Sequence, residues 1–236
     1  MTRHFGVLIP STNTTCEIEY GRLLPESLQV HVARLGKGSA GAFAPSNDAD
    51  IDYQSRMLGN AHVEVISLAQ TSASLFAGNY DADVTQRMSA GAGVPAVTSA
   101  QAVGQAIQAL GLRRIAIVSP YSPPVIERAR QYYESKYGLD VVALHSFDAS
   151  DAYAIGQLGP ENAHDAFAQI DRPEIEVLVV PGGNFPTMRF IAQWEREFGK
   201  PVITTNQAAL WAMLRIMRAD ERLPGLGRLL EQMPAG

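Results

Sequence analysis

Gly6-Val7-Leu8-Ile9-Pro10-Ser11-Thr12-Asn13-Thr14-Thr15 is a short apolar run that stops at a proline and gives way to hydroxyl and amide side chains. The chain says this twice. Ile115-Ala116-Ile117-Val118-Ser119-Pro120-Tyr121-Ser122-Pro123-Pro124 has the same character, with Pro120 standing 110 residues after Pro10. Two further segments recur in the same order. Glu64-Val65-Ile66-Ser67-Leu68-Ala69-Gln70-Thr71-Ser72 pairs with Glu176-Val177-Leu178-Val179-Val180-Pro181-Gly182-Gly183-Asn184 at an offset of 112. Val94-Pro95-Ala96-Val97-Thr98-Ser99-Ala100-Gln101 pairs with Lys200-Pro201-Val202-Ile203-Thr204-Thr205-Asn206-Gln207 at an offset of 106. Ordered matches at a nearly fixed spacing imply a duplicated unit.

Working outward, short β-branched runs alternate with longer helical stretches, the βαβ pattern of a parallel sheet. Strands are predicted at Phe5–Ile9, Val30–Leu35, Val63–Leu68 and Pro95–Val97, then at Arg114–Val118, Asp140–Leu144, Val177–Val180 and Val202–Ile203. Their near-continuous apolar character fits strands covered on both faces. Helices are predicted over Ala100–Leu110, Pro123–Tyr137 and Pro186–Phe198, each closed by a glycine, and over Gln207–Arg218, whose apolar face docks on a sheet. The fold class is therefore α/β, with two pseudo-twofold-related, flavodoxin-like halves, each a four-stranded parallel sheet flanked by helices. Residues 1–112 form the first half and 113–206 the second, and 207–236 pack back on the first. The Gly-rich stretch Gly36–Asp52 reads equally as a flap over a site or as an exposed loop.

Composition narrows the functions. The net charge of −5 and the lack of a basic cluster argue against nucleic acid. The N-terminal apolar run is too short for a signal-peptide core, and no window reaches the roughly 20 apolar residues of a membrane span. A cytoplasmic protein without a membrane partner is expected. A single cysteine, Cys16, excludes intrachain disulfides. His4, His31, His62, His145 and His164 lack the spacing of a metal site, so no metal is expected. No G-x-G-x-x-G follows Ile9, so no nicotinamide or flavin cofactor is indicated.

Ligands of open parallel sheets bind beyond the carboxyl ends of the strands. The residues falling there are Pro10, Ser11, Thr12 and Asn13; Gln70, Thr71 and Ser72; Tyr121 and Ser122; Gly182, Gly183 and Asn184; and Asn206. Hydroxyls, amides and glycines ahead of helices can bind anions through free N–H groups and the helix dipole. Facing clusters of this kind suit a ligand with two carboxylates. Each residue taken alone also reads as a helix cap. Tyr121 is the strongest catalytic candidate, because a phenol at a strand end can donate to an oxyanion. Asn206 reads equally as a substrate-orienting group or a cap.

These segments resemble the aspartate/glutamate racemase superfamily, in particular its maleate cis-trans isomerase and arylmalonate decarboxylase branch. The resemblance rests on Gly6–Asn13 with Glu17 and Glu19, on Thr71-Ser72, on Ser119-Pro120-Tyr121 and on Pro201–Ala208. It implies cofactor-independent isomerase or lyase chemistry on a small carboxylate through an enolate-like intermediate, and a homo-oligomer. It implies that Ser11, Asn13, Thr71 and Ser72 hold one carboxylate, while Tyr121 and the backbone of Gly183 and Asn184 hold the other or the enolate. Tyr121 and Asn13 are then the catalytic pair. Family members use thiols at two positions, which fall here at Gln70 and at about Gly182. Both lack a thiol, and Cys16 reads as a packing residue. The competing reading is a carboxylate-binding protein without turnover.

Overall fold

Two four-stranded, all-parallel sheets carry the chain in the computed structural model, which describes residues 2–41 and 43–234. In the first sheet, β1 (Arg3–Pro10) lies between β2 (Leu28–Leu35) and β3 (Ile66–Leu68), and β4 (Ala96–Thr98) extends the β3 side. The second repeats this order with β5 (Arg114–Ser119) between β6 (Asp140–Ser146) and β7 (Val177–Val180), and β8 (Val202–Thr204) beyond β7. Phe5, Val7, Leu8 and Ile9 are all buried, as are Ile115, Ile117 and Val118. Successive residues point to opposite faces, so both faces of each sheet are covered.

The covering helices of the first half are α1 (Cys16–Leu23), α2 (Asp48–Asn60), α3 (Tyr80–Ala92) and α4 (Ser99–Ala109). Those that follow are α5 (Pro123–Tyr137), α6 (Ala152–Ile155), α7 (Pro160–Ile170), α8 (Ile191–Phe198), α9 (Thr205–Met217) and α10 (Arg228–Gln232). The duplication reaches individual contacts. Arg3 at the start of β1 pairs with Glu64 at 2.6 Å, and Arg114 at the start of β5 pairs with Glu176 at 2.8 Å. Gln101 accepts a bond from Thr98 N at 3.1 Å, and Gln207 accepts one from Thr204 N at 3.3 Å.

One apolar core runs through both halves, including Phe5, Val97 and Ala100 with Ile117, Val179 and Leu210. The helix α9 is buried almost throughout and packs on α4 while touching β3, β4 and β8. A buried carboxylate adds a polar tie. Asp81 in α3 accepts from Thr98 Oγ1 at 2.8 Å, from Tyr132 OH at 2.7 Å and from Lys136 Nζ at 2.9 Å. Two of these partners belong to α5 in the other half. The strand tips are thus held in a fixed relation.

Three local expectations are corrected. The segment predicted as a helix over Pro186–Phe198 begins as a loop and a 3-10 turn, Met188–Phe190, and becomes α-helical only at Ile191. Glu19 takes the N–H groups of Thr187 and Met188, so a tertiary acceptor sets the backbone there. The end of the Gly36–Asp52 stretch is helical from Asp48, because Asn47 caps α2 by accepting from Ala49 N at 2.8 Å. The helix predicted over Gln207–Arg218 runs instead from Thr205 to Met217, with Arg218 in the left-handed region at φ 55°.

Candidate active site

A pocket opens where the carboxyl ends of β1 and β3 meet those of β5 and β7. All the candidate residues named from the sequence line it except Ser122 and Asn206.

Tyr121 leaves the tip of β5 and is buried, packing edge-on against Phe43 with ring centroids 5.3 Å apart. Burial pushes its phenol up, against hydrogen bonds from the Thr71 side chain and the Ser72 backbone that lower it. It therefore stays a protonated donor at neutral pH. Thr71 and Ser72 open the 3-10 helix Thr71–Leu75 that follows β3. The Thr71 hydroxyl lies 3.0 Å from that of Ser99, and the Ser72 hydroxyl donates to Phe43 O at 3.2 Å. Gln70 turns its amide to the stretch ahead of α2. Its Nε2 donates to Ala44 O at 2.9 Å, and its Oε1 accepts from Ser46 N at 3.0 Å and Ser46 Oγ at 2.9 Å. Residues 43–46 are thereby fastened as part of one wall of the pocket.

The opposite wall is backbone. Gly182 has φ 113°, and a Cβ there would stand 2.9 Å from Pro120 Cγ. This conformation and this close approach both require glycine. Gly182 N donates to Thr205 Oγ1 at 2.8 Å. The Gly183 carbonyl accepts from Asn13 Nδ2 at 3.2 Å and Asn206 Nδ2 at 3.0 Å. Asn184 is clamped between halves, with Oδ1 accepting from Thr14 N at 2.7 Å and Nδ2 donating to Ala152 O at 2.7 Å. Among the described residues, nothing accepts a hydrogen bond from the N–H of Gly183 or Asn184.

Asn13 lines the pocket, but its carboxamide oxygen is committed to α1, accepting from Thr15 N at 3.0 Å and Cys16 N at 2.9 Å. Asn206 lies behind the Gly183 turn, and Ser122 sits at the start of α5. His145, Asp148 and Asp151 stay outside. Asp151 caps α6 through Tyr153 N and Ala154 N, and His145 packs on Phe147 with burial lowering its pKa. Sequence reasoning left out Leu35, Lys37, Phe43 and Ala44 on one side and Ala152 and Ile155 on the other. Only the Gly-rich character of the first segment hinted at them. Among the described lining residues the ionisable groups are Lys37 and Tyr121 alone; no carboxylate, imidazole or thiol faces the space.

Fold and site together define an α/β protein of two similar parallel-sheet halves, with a pocket of hydroxyls, amides and glycines where their strand tips meet. The chain belongs to the arylmalonate decarboxylase family, whose model matches residues 29–230. It is similar to a maleate isomerase of Pseudomonas putida, 28% identical over 242 residues that cover 95% of this chain and 96% of that protein. A Pseudomonas putida maleate isomerase variant solved with maleate matches with a TM-score of 0.90 and 28% identity over 98% of each chain. A Nocardia farcinica maleate cis-trans isomerase mutant with a covalently bound succinylcysteine intermediate matches at a TM-score of 0.85 and 26% identity, over 98% of this chain and 99% of that one. The chain is an enzyme of this family, an isomerase or a lyase. Among the described residues no helix is long and apolar enough to cross a membrane.

Proposed function

We propose that the pocket takes a malonate-type diacid, releases one carboxylate as carbon dioxide and holds the resulting enediolate, with no thiol in the reaction. The observation that carries this reading is the charge inventory of the lining, which offers hydrogen-bond donors and one lysine but no anion or nucleophilic sulfur. Abstracting a proton needs a base, and adding to a double bond needs a nucleophile. Decarboxylation needs neither. The bond to the departing carboxylate breaks, its electron pair moves onto the remaining carboxyl as an enediolate, and carbon dioxide leaves.

Donors available for that enediolate are the Thr71 hydroxyl, the Tyr121 phenol and the N–H groups of Gly183 and Asn184. One such donor lowers a barrier by about 3 kcal/mol when it meets charge that develops only in the transition state. Leu35, Phe43, Ala44, Ala152 and Ile155 supply an apolar side, on which the departing carboxylate is poorly solvated and the neutral product is not. The carbon then takes a proton from Tyr121 or from water, and the phenol regains its own from water.

The maleate isomerase route is disfavoured by the same inventory. The succinylcysteine found in the Nocardia farcinica relative requires a thiol at the substrate. Here Gln70 precedes Thr71, and Pro181-Gly182-Gly183 form the opposite tip. Cys16, the chain's one cysteine, is buried in α1 and is not among the lining residues, and burial pushes its thiol up. Proton NMR in deuterated water, with substituted malonates and maleate offered side by side, tests the reading. The expected result is loss of a carboxyl from a malonate with one deuterium gained at the carbon, and maleate unchanged. Fumarate formation, or no change in any malonate, overturns it.

A further inference from the structure

Glu19 is a buried carboxylate that no step above uses. It sits in α1 of the first half, yet every hydrogen bond it accepts from outside its own helix comes from the second half and α9. Its Oε1 accepts from Thr187 N at 2.7 Å and Met188 N at 2.8 Å, and its Oε2 accepts from Asn206 Nδ2 at 2.7 Å. The same Asn206 nitrogen donates to Gly183 O, and Tyr20 OH holds the Asn206 carbonyl at 2.8 Å. One tie on the Gly182–Asn184 turn thus runs from behind, through the Asn206 amide, to a single carboxylate.

We infer that Glu19 is a positioning residue: its ionised carboxylate holds Asn206 so that the Gly183 carbonyl is drawn back and the N–H groups of Gly183 and Asn184 face the pocket. The arrangement depends on charge. Both hydrogens of Asn206 Nδ2 are used, one on Glu19 and one on Gly183 O, while Asn206 Oδ1 is buried without a partner. A carboxylate accepts only. Once protonated, Glu19 presents an O–H where Asn206 presents an N–H, and the orphan Oδ1 becomes the better partner. Turning the amide to offer it removes one of the two donors from Gly183 O and leaves only Asn13 Nδ2 at 3.2 Å.

Its surroundings set where this happens. Burial raises the Glu19 carboxyl to about 7, against the lowering effect of the Asn206, Met188 and Thr187 bonds. Titratable neighbours on its own helix are Cys16 and Tyr20, both pushed up by burial. From β2, Arg34 pairs with Glu17 at 2.8 Å. The turn and α9 face it with amides, and Arg189 is exposed.

The role rests on the reading that this turn binds the reacting carboxyl, but its test does not need turnover. Nitrogen–proton correlation spectra of the whole chain follow the Gly183 and Asn184 amides between pH 5.5 and 8.5. The expected result is a shift in both with a midpoint near 7 in the wild type and no such step in Glu19→Gln. Amides that ignore pH in the wild type overturn the inference, even if a variant fails to fold. So does a step that survives in Glu19→Gln. Where malonate turnover is found, kcat rises with pH through the same midpoint, Glu19→Gln loses about a hundredfold in kcat, and Glu19→Asp recovers part of it. Titrating amides without any turnover would sink the proposed reaction and leave the positioning role standing.

Discussion

The tips of β3 and β7 occupy equivalent places in the two halves, and they have diverged completely. After β3 the chain presents side chains: Gln70 reaches out to Ala44 and Ser46, and Thr71 and Ser72 aim hydroxyls from a 3-10 turn. After β7 it presents bare backbone, with two glycines, one of them at φ 113°, and two N–H groups that nothing in the described protein accepts. The sheets behind these tips share one strand order and matching Arg–Glu pairs at their opposite ends. Duplication kept the scaffold because packing constrains it from both faces. The tips have become two unlike walls, one of side chains and one of backbone.

Substitutions at each wall sharpen that contrast. The largest effect is expected at the phenol between them. Tyr121→Phe keeps the packing on Phe43 but removes the donor, and should lower kcat about 100- to 1000-fold with an unchanged melting temperature. On the backbone wall, Gly182→Ala sets a Cβ 2.9 Å from Pro120 Cγ in a conformation that alanine resists. It should cost about a hundredfold in kcat and about 1–3 kcal/mol of stability in denaturant melts.

The support behind that wall should show in pH. Glu19 is raised by burial from an ordinary 4.5 to about 7. Between those values the folded protein holds a proton that the unfolded chain has released. Stability from this group therefore falls as pH rises through the window, by about 3 kcal/mol, and levels off above 7. Urea melts at pH 5 and 7.5 should show the drop, and Glu19→Gln should remove it. The side-chain wall should be the most forgiving. Gln70→Ala unfastens residues 43–46 without touching the donors, and should raise KM about tenfold with little change in kcat.

The halves were legible because Pro10 and Pro120, Glu64 and Glu176, and Pro95 and Pro201 punctuate buried runs that few residue types can fill. The two donor clusters were legible for a related reason, since strand ends in parallel sheets point one way. The wall formed by 36–41 and 43–46 was not, because Gly, Ser and Ala carry no periodicity and its far end is held by a distant glutamine. Nor was the loop ahead of α8, whose helical pattern yields to two hydrogen bonds donated by its backbone to Glu19. Asn13 was read as a catalytic group, and the structure gives its oxygen to the α1 cap and one hydrogen to Gly183 O. Residue type announced a polar contact there but could not say with whom.

A thiol-free reaction is the claim on which the rest depends, and alkylation tests it most directly. The purified enzyme is treated with iodoacetamide at pH 8, and decarboxylation of the best malonate is then measured in the treated and untreated samples. Cys16 is buried with its thiol pushed up, so the rates should be equal. Loss of activity in step with carbamidomethylation of Cys16 would contradict the account.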